Sequence, residues 1–211
     1  MDVPRSLPAR VYLTAYDAQR KKLTRTSRLH HLVRAAALEE LTLRELIADR
    51  DGKVVVTGHR TTGDPVLDDV LTQIRDSKPR NWKHWVGKQG TKTRNALRDQ
   101  LAAERVIRVE RRRILGLIPH SDVTLRDGRA AKELQATAAR ALTGATPTPR
   151  LDPRDVSLAA IAAIGELDTV CKGSVRRENR NRIKELIALS GPAVPALKKV
   201  LADEAGAAVA A

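Results

Sequence analysis

No phenylalanine occurs in the 211 residues, and the other aromatics are Tyr12, Tyr16, Trp82 and Trp85. Hydrophobic residues still make up 42% of the chain. A buried core must therefore be filled by Leu, Ile, Val and Ala. Side chains of this kind, Ala and Leu above all, cost little to place in a helix. The expected fold is mainly α, a helical bundle in one domain over residues 1–211.

The apolar pattern divides this chain into segments. Leu7 to Tyr16 reads as a short helix, and Lys21 to Arg28 (KKLTRTSR) as an exposed basic connector. Leu29 to Ile47 reads as the first long helix, because Leu29, Leu32, Val33, Ala36 and Ala37 recur at helical spacing. A turn over Asp49–Gly52 then leads into a short strand, Lys53 to Thr57. Gly63, Asp64 and Pro65 form the clearest start signal: a turn residue, a side-chain cap, and a proline where its missing N–H costs nothing. Val66, Leu67, Val70, Leu71 and Ile74 form the buried face of that helix, which ends at Lys78 and Pro79.

Asn81 to Val86 reads as a short helix with both tryptophans on one side, and Thr91 to Arg105 as another. Val106–Val109 and Ile114–Ile118 read as the strands of a β-hairpin with Glu110 to Arg113 at its tip. Four helical stretches are expected after Pro119: Ala130–Leu142, Asp155–Leu167, Val175–Leu189 and Pro192–Ala205. Thr143 to Pro153 is a proline-rich surface loop, and the tail from Ala205 is expected to fray.

The formal charge is +14. This biases the partners toward polyanions: nucleic acid, an anionic membrane face or acidic protein. A single cysteine, Cys171, excludes an internal disulfide and a cysteine-cluster metal site. The first ten residues lack the apolar run of a signal peptide. No stretch approaches the ~18 apolar residues that a membrane span needs. A cytoplasmic protein, peripherally associated with the inner face of a membrane, is the localisation expected.

No constellation for catalysis stands out, so no enzymatic activity and no cofactor are expected. The histidines His30, His31, His59, His84 and His120 do not make the spacing of a zinc helix. His30 and His31 are adjacent, and on a helix they would point ~100° apart, which argues against a shared metal. Glu39–Glu40 and Asp68–Asp69 read as solvated or salt-bridged acids. The positive signal is clustered arginine. Arg25, Arg28 and Arg34 lie before or in the first long helix, and Arg94 and Arg98 share a face of a later one. The guanidinium fork matches phosphate oxygens, although such spacing is also common on solvated faces. The hairpin has two readings, a nucleic-acid-binding wing with Arg111 to Arg113 on DNA phosphates, or an apolar strand that touches a membrane or a second subunit.

The order of several motifs resembles the Golgi phosphoprotein 3 family. They are Val33 to Arg44 (VRAAALEELTLR), Thr62 to Asp69 (TGDPVLDD), the pair Asn81 and Trp82, and the Arg-rich helix from Arg94 to Val106. Asp152 to Leu167 and Asn181 to Leu189 are similar to the family's later helices. The resemblance runs from about Leu7 to Leu201. It implies a mainly helical domain with a protruding β-hairpin, and a peripheral membrane protein that binds phosphatidylinositol 4-phosphate in a shallow basic pocket, formed in relatives by one tryptophan and three arginines. Arg34 and Arg94 fall on two of those arginines, with Thr91 or Lys92 near the third. Arg25 falls where the tryptophan is expected, so a charge replaces an aromatic anchor. The Ala- and Arg-rich composition resembles that of a bacterial member, and a bacterial cell has no Golgi to serve.

The expected role is a lipid-binding adaptor. Arg34 and Arg94 would clamp a lipid phosphate, with Arg25, Lys92 and Arg98 as supporting charge. Ile114, Leu115, Leu117 and Ile118 would contact a membrane or a second copy in a homo-oligomer. The partners expected are an anionic phospholipid or membrane surface, and membrane-protein tails. The rival reading is a winged-helix nucleic-acid binder using the 91–105 helix, and a further one is a protein-tail scaffold.

Overall fold

The computed structural model describes residues 4, 6–58, 60–114 and 118–209, with the backbone alone at 111–114, 118–121 and 209. In chain order these form α1 (Leu7–Thr14), β1 (Tyr16–Asp17), β2 (Lys22–Leu23), α2 (Thr26–Leu43), β3 (Ile47–Arg50), β4 (Lys53–Val56), α3 (Pro65–Arg75), β5 (Arg80–Asn81), α4 (Trp82–Gly87) and α5 (Gly90–Ala103). There follow β6 (Ile107–Ile114), β7 (Ile118–Leu125), α6 (Arg129–Thr143), α7 (Pro153–Ile164), α8 (Gly173–Glu178), α9 (Arg180–Leu189) and α10 (Ala193–Val209). The fold is mainly α with short antiparallel sheets, as the aliphatic composition predicts.

The missing phenylalanines are explained by α2 and α7. Leu29, Leu32, Val33, Ala35, Ala36, Ala37, Leu38 and Leu41 are all buried, so α2 is covered around its circumference. Its neighbours are α1, α3, α4, α5, α7 and α10. A helix that is apolar all round belongs at the centre of a protein. Val156 to Ala163 of α7 are buried in the same way. Small side chains let these two helices approach closely. At Gly165, which ends α7, an added Cβ would sit 2.5 Å from Leu32 Cδ1.

Polar side chains of α2 are drawn into this packing. Glu40 has no exposed surface. Its carboxylate accepts hydrogen bonds from Leu7 N (3.1 Å), Arg44 Nε (2.7 Å), and Arg154 Nε and Nη2 (3.1 and 3.0 Å). It thereby serves a free amide at the start of α1 and ties α2 to α7. Glu39 Oε1 accepts from Ser157 Oγ (2.9 Å) and Gly191 N (2.6 Å), joining α2 to α7 and to the entry of α10. Burial raises the Glu39 carboxyl above its ordinary range. Burial acts in the same direction on Glu40, but the hydrogen bonds from Arg154, Arg44 and Leu7 outweigh it and hold that carboxyl low.

The start signal at residue 63 forms as expected. Gly63 has φ +74°, and Asp64 Oδ1 accepts from Val66 N (3.0 Å) and Leu67 N (3.3 Å). Asn81 Oδ1 caps α4 through His84 N (2.8 Å), and both tryptophans are buried.

Several boundaries differ from the sequence reading. The long helix stops at Leu43, and Ile47 opens a β3–β4 hairpin. Glu45 adopts φ +57°, and Leu46 N bonds back to Leu41 O while Glu45 N bonds to Thr42 O. Arg105 ends α5 and Glu166 ends α7 with the same bond pattern. These are left-handed helix stops normally marked by glycine, built here on charged residues that carry no such signal. Val175–Leu189 is two helices, separated at Asn179. The last helix continues past Ala205 to Val209.

The larger hairpin requires a correction. Arg111, Arg112 and Arg113 lie within β6, paired with Ser121, His120 and Pro119, so the strand continues beyond the expected tip. Proline is tolerated in this two-stranded ribbon because an edge has no further partner to bond. The wing reading loses its arginine tip. Ile114 and Ile118 form the last register pair, and Leu115 and Leu117 lie outside the described residues.

Replacing Glu40 by Gln is expected to lower the unfolding free energy by about 2–3 kcal/mol at neutral pH. Because the folded carboxyl is depressed, its contribution is complete above the ordinary value of 4.5 and is lost as pH falls through the lower folded value. Urea denaturation of both proteins should therefore show the gap closing in acid.

Candidate anion-binding site

The β1–β2 hairpin sets one wall of a broad basin. Asp17 Oδ1 accepts from Gln19 N (2.9 Å) and Arg20 N (3.0 Å), closing the turn. This side-chain turn leaves Arg20 and Lys22 at the surface. Thr24 then bonds back to Ala15 O through both its amide (2.8 Å) and its hydroxyl (2.9 Å). Arg25 takes a left-handed φ of +50° immediately before α2. Its Nε donates to Glu166 O (3.1 Å) and its Nη2 to Asp168 Oδ2 (3.3 Å).

Distant segments supply the other walls. Gln135 of α6 donates to Thr14 O (3.2 Å) and Tyr16 O (2.8 Å), and Thr169 Oγ1 donates to Thr14 O (2.7 Å). These bonds dock α6 and the α7–α8 connection against the hairpin. The open basin between them measures about 1010 Å³. Arg20, Lys22, Arg25, Lys132 and Lys172 line it, against the acids Asp17 and Asp168. Asp17 pairs with Arg20 (3.7 Å), while Asp168 is shared by Arg25 and Arg176 at 3.3 Å each. Lys22, Lys132 and Lys172 make no ion pair among the described residues. Three lysines from three separate segments thus line one open space, a setting suited to a polyanion.

The chain matches the description Golgi phosphoprotein 3 (GPP34) over residues 7–203. It belongs to the Golgi phosphoprotein 3 family. A comparison with curated proteins gives no match.

The residues that the family resemblance singled out do not form one cluster. Arg34 has no exposed surface. Its Nε donates to Trp85 O, Nη1 to Thr93 Oγ1 and Nη2 to Gln73 Oε1, each at 3.0 Å. It is a hub joining α2 to α3, α4 and α5, which corrects the expectation of a surface clamp. Burial pulls its pKa down to about 10, with Asp69 opposing that fall. Lys92 turns toward α3 and pairs with Asp69 at 3.1 Å. Arg94 donates to Asn95 Oδ1 (3.2 Å), and Arg98 pairs with Asp99 (2.8 Å). Both arginines act on the buried Tyr12, whose hydroxyl is nevertheless pushed up to about 12 by desolvation. Only Arg25 of the five lines the basin.

Sequence reasoning missed most of the basin. Lys22 fell inside the basic connector, where it was visible as charge without a partner segment. Lys132 and Lys172 lie far along the chain, and nothing local marks them. The histidine reading also changes. The His30 and His31 ring centroids are 3.9 Å apart, at a tilt of 40°, so their adjacency on α2 does not separate them. With Glu204 they form a group whose ligand atoms all lie within 4.8 Å.

Arg34→Met leaves three acceptors without their donor and is expected to destabilise the fold by about 3 kcal/mol. Lys132→Ala, on the surface, should stay within about 0.5 kcal/mol of the parent. Thermal melts of the two variants check this division between a core arginine and a surface lysine.

Proposed function

We propose that the protein is a non-catalytic adaptor that docks on anionic phospholipid headgroups at a membrane surface. The observation that carries this reading is the convergence of Lys22, Lys132 and Lys172 with Arg25 on one basin in a member of this family. A basic side chain near an anionic leaflet contributes ~1 kcal/mol, and several acting together give salt-sensitive binding. The cavity volume lies near the upper end of the about 300–1,000 Å³ typical of small-ligand sites, wide enough for a headgroup rather than a lone phosphate. A phosphoinositide bearing a 4-phosphate is the headgroup that the family resemblance favours. Arg94 and Arg98 lie on α5, outside the basin, and Arg34 acts in the core, where it joins α2 to α3, α4 and α5.

Peripheral attachment is consistent with the helices, none of which, among the described residues, is long and apolar enough to cross a membrane. Glu39 and Glu40, the neighbouring acids of α2, are used in holding the core together. The sequence of the β6–β7 connection places Ile114, Leu115, Leu117 and Ile118 together. That stretch is a second contact for the membrane or for another subunit, and β7 packs beside β2 at the edge of the basin.

Liposome flotation tests the reading. Vesicles of neutral lipid, of phosphatidylinositol 4-phosphate in neutral lipid, and of phosphatidylserine matched in charge would be compared. The parent protein should float best with the phosphoinositide, and a Lys22→Ala/Lys132→Ala/Lys172→Ala variant should lose that preference while keeping its melting temperature. Equal flotation of parent and variant would remove the basin from the mechanism. No flotation on any vesicle would overturn lipid docking.

A further inference from the structure

The C-terminal helix meets α2 through a group of side chains that lipid docking does not use. His31 is buried, with Nδ1 3.3 Å from Val86 O and Nε2 2.6 Å from Glu204 Oε1. Both neighbours are acceptors. A neutral imidazole carries one N–H and can satisfy only one of them. With the proton on Nδ1 and directed at the Val86 carbonyl, the Nε2 lone pair faces a carboxylate, and a cation is needed between them. A second proton can fill that role, and so can a metal ion.

Three further observations favour the metal. First, His30 stands beside His31 with ring centroids 3.9 Å apart, and one ligand atom from each of His30, His31 and Glu204 lies within 4.8 Å of the others. A pure ion pair has no use for the second imidazole. Second, two imidazoles and a carboxylate are a donor set that suits zinc. Third, an Nδ1–H held by a backbone carbonyl is the usual support behind a zinc-bound histidine, fixing its tautomer and orientation. Zinc–ligand distances of about 2.0–2.2 Å require the Glu204 carboxylate to draw back slightly from His31 and the His30 ring to move closer. The Glu204 side chain is 48% exposed, so it has room to do so. An adjoining cavity of about 500 Å³, lined by His31, His84, Asp203 and Glu204 among others, gives access from solvent.

We propose that His30, His31 and Glu204 form a zinc site that fastens α10 to α2. The metal bridges α2 and α10 near the C-terminal end of α10, where the Lys83–Asp203 ion pair also ties α10 to α4. It therefore stabilises the seating of the C-terminal helix, independently of any lipid.

The test uses the full chain, stripped with a chelator and dialysed. Zinc chloride titration by calorimetry should show saturable binding of one ion per chain, and the melting temperature should rise with zinc concentration. Cobalt(II) in place of zinc should give the intense visible absorption of a four-coordinate site. His30→Gln and Glu204→Gln are partly exposed positions that avoid the buried His31. Each should abolish the one-to-one binding and the cobalt spectrum while the chelated protein melts like the parent. His84→Ala should retain both signals. Absence of saturable binding in the parent, or binding that survives the His30→Gln/Glu204→Gln double variant, overturns the proposal.

Discussion

Glu40, a carboxylate with no exposed surface, holds the centre of this fold together. It receives the first amide of α1, the arginine that follows its own helix and an arginine from α7. An unpaired charge at that depth would be strongly destabilising, so the three segments are required to meet there. Arg34 imposes a similar demand two turns earlier on α2, where carbonyl, hydroxyl and amide oxygens from three other helices surround it. The aliphatic packing supplies attraction without direction, and these two side chains fix which helices pack on which.

That division between core and surface charge decides where an anion can act. Many arginines here are already engaged. Arg44 and Arg154 hold Glu40, Arg28 holds Glu166, and Arg98 holds Asp99. A high formal charge alone therefore says little about a binding face. What distinguishes the basin is that its lysines make no ion pair among the described residues, while Arg25 is positioned by Asp168 and the Glu166 carbonyl. Lysine is a compact charge on a flexible stem. It suits the proposed role of the basin, because it can meet an anion without demanding one fixed geometry.

The fold class was legible because aliphatic periodicity and the cap at Asp64 are local signals. The end of α2 was hidden because Glu45 occupies a conformation usually given to glycine. The hairpin register was misread because Glu110 to Arg113 looked like a charged turn, whereas a two-stranded ribbon accepts charge along its length. For the site, clustered arginine drew attention to Arg25, which lines the basin, and equally to Arg34, whose burial no local pattern reveals. Lys132 and Lys172 were invisible because tertiary docking through Gln135 and Thr169 brings them to the hairpin. His30 and His31 were set aside on helical geometry, yet side-chain torsions bring the rings together.

The most direct measurement is hydrogen–deuterium exchange of the full chain with and without vesicles containing phosphatidylinositol 4-phosphate. Slowed exchange is expected in residues 16–25, 129–135 and 168–172, the three segments that build the basin, with α9 unchanged. Protection confined to α9 and α10, with those three segments exchanging as in the free protein, would contradict a basin-centred mode of docking.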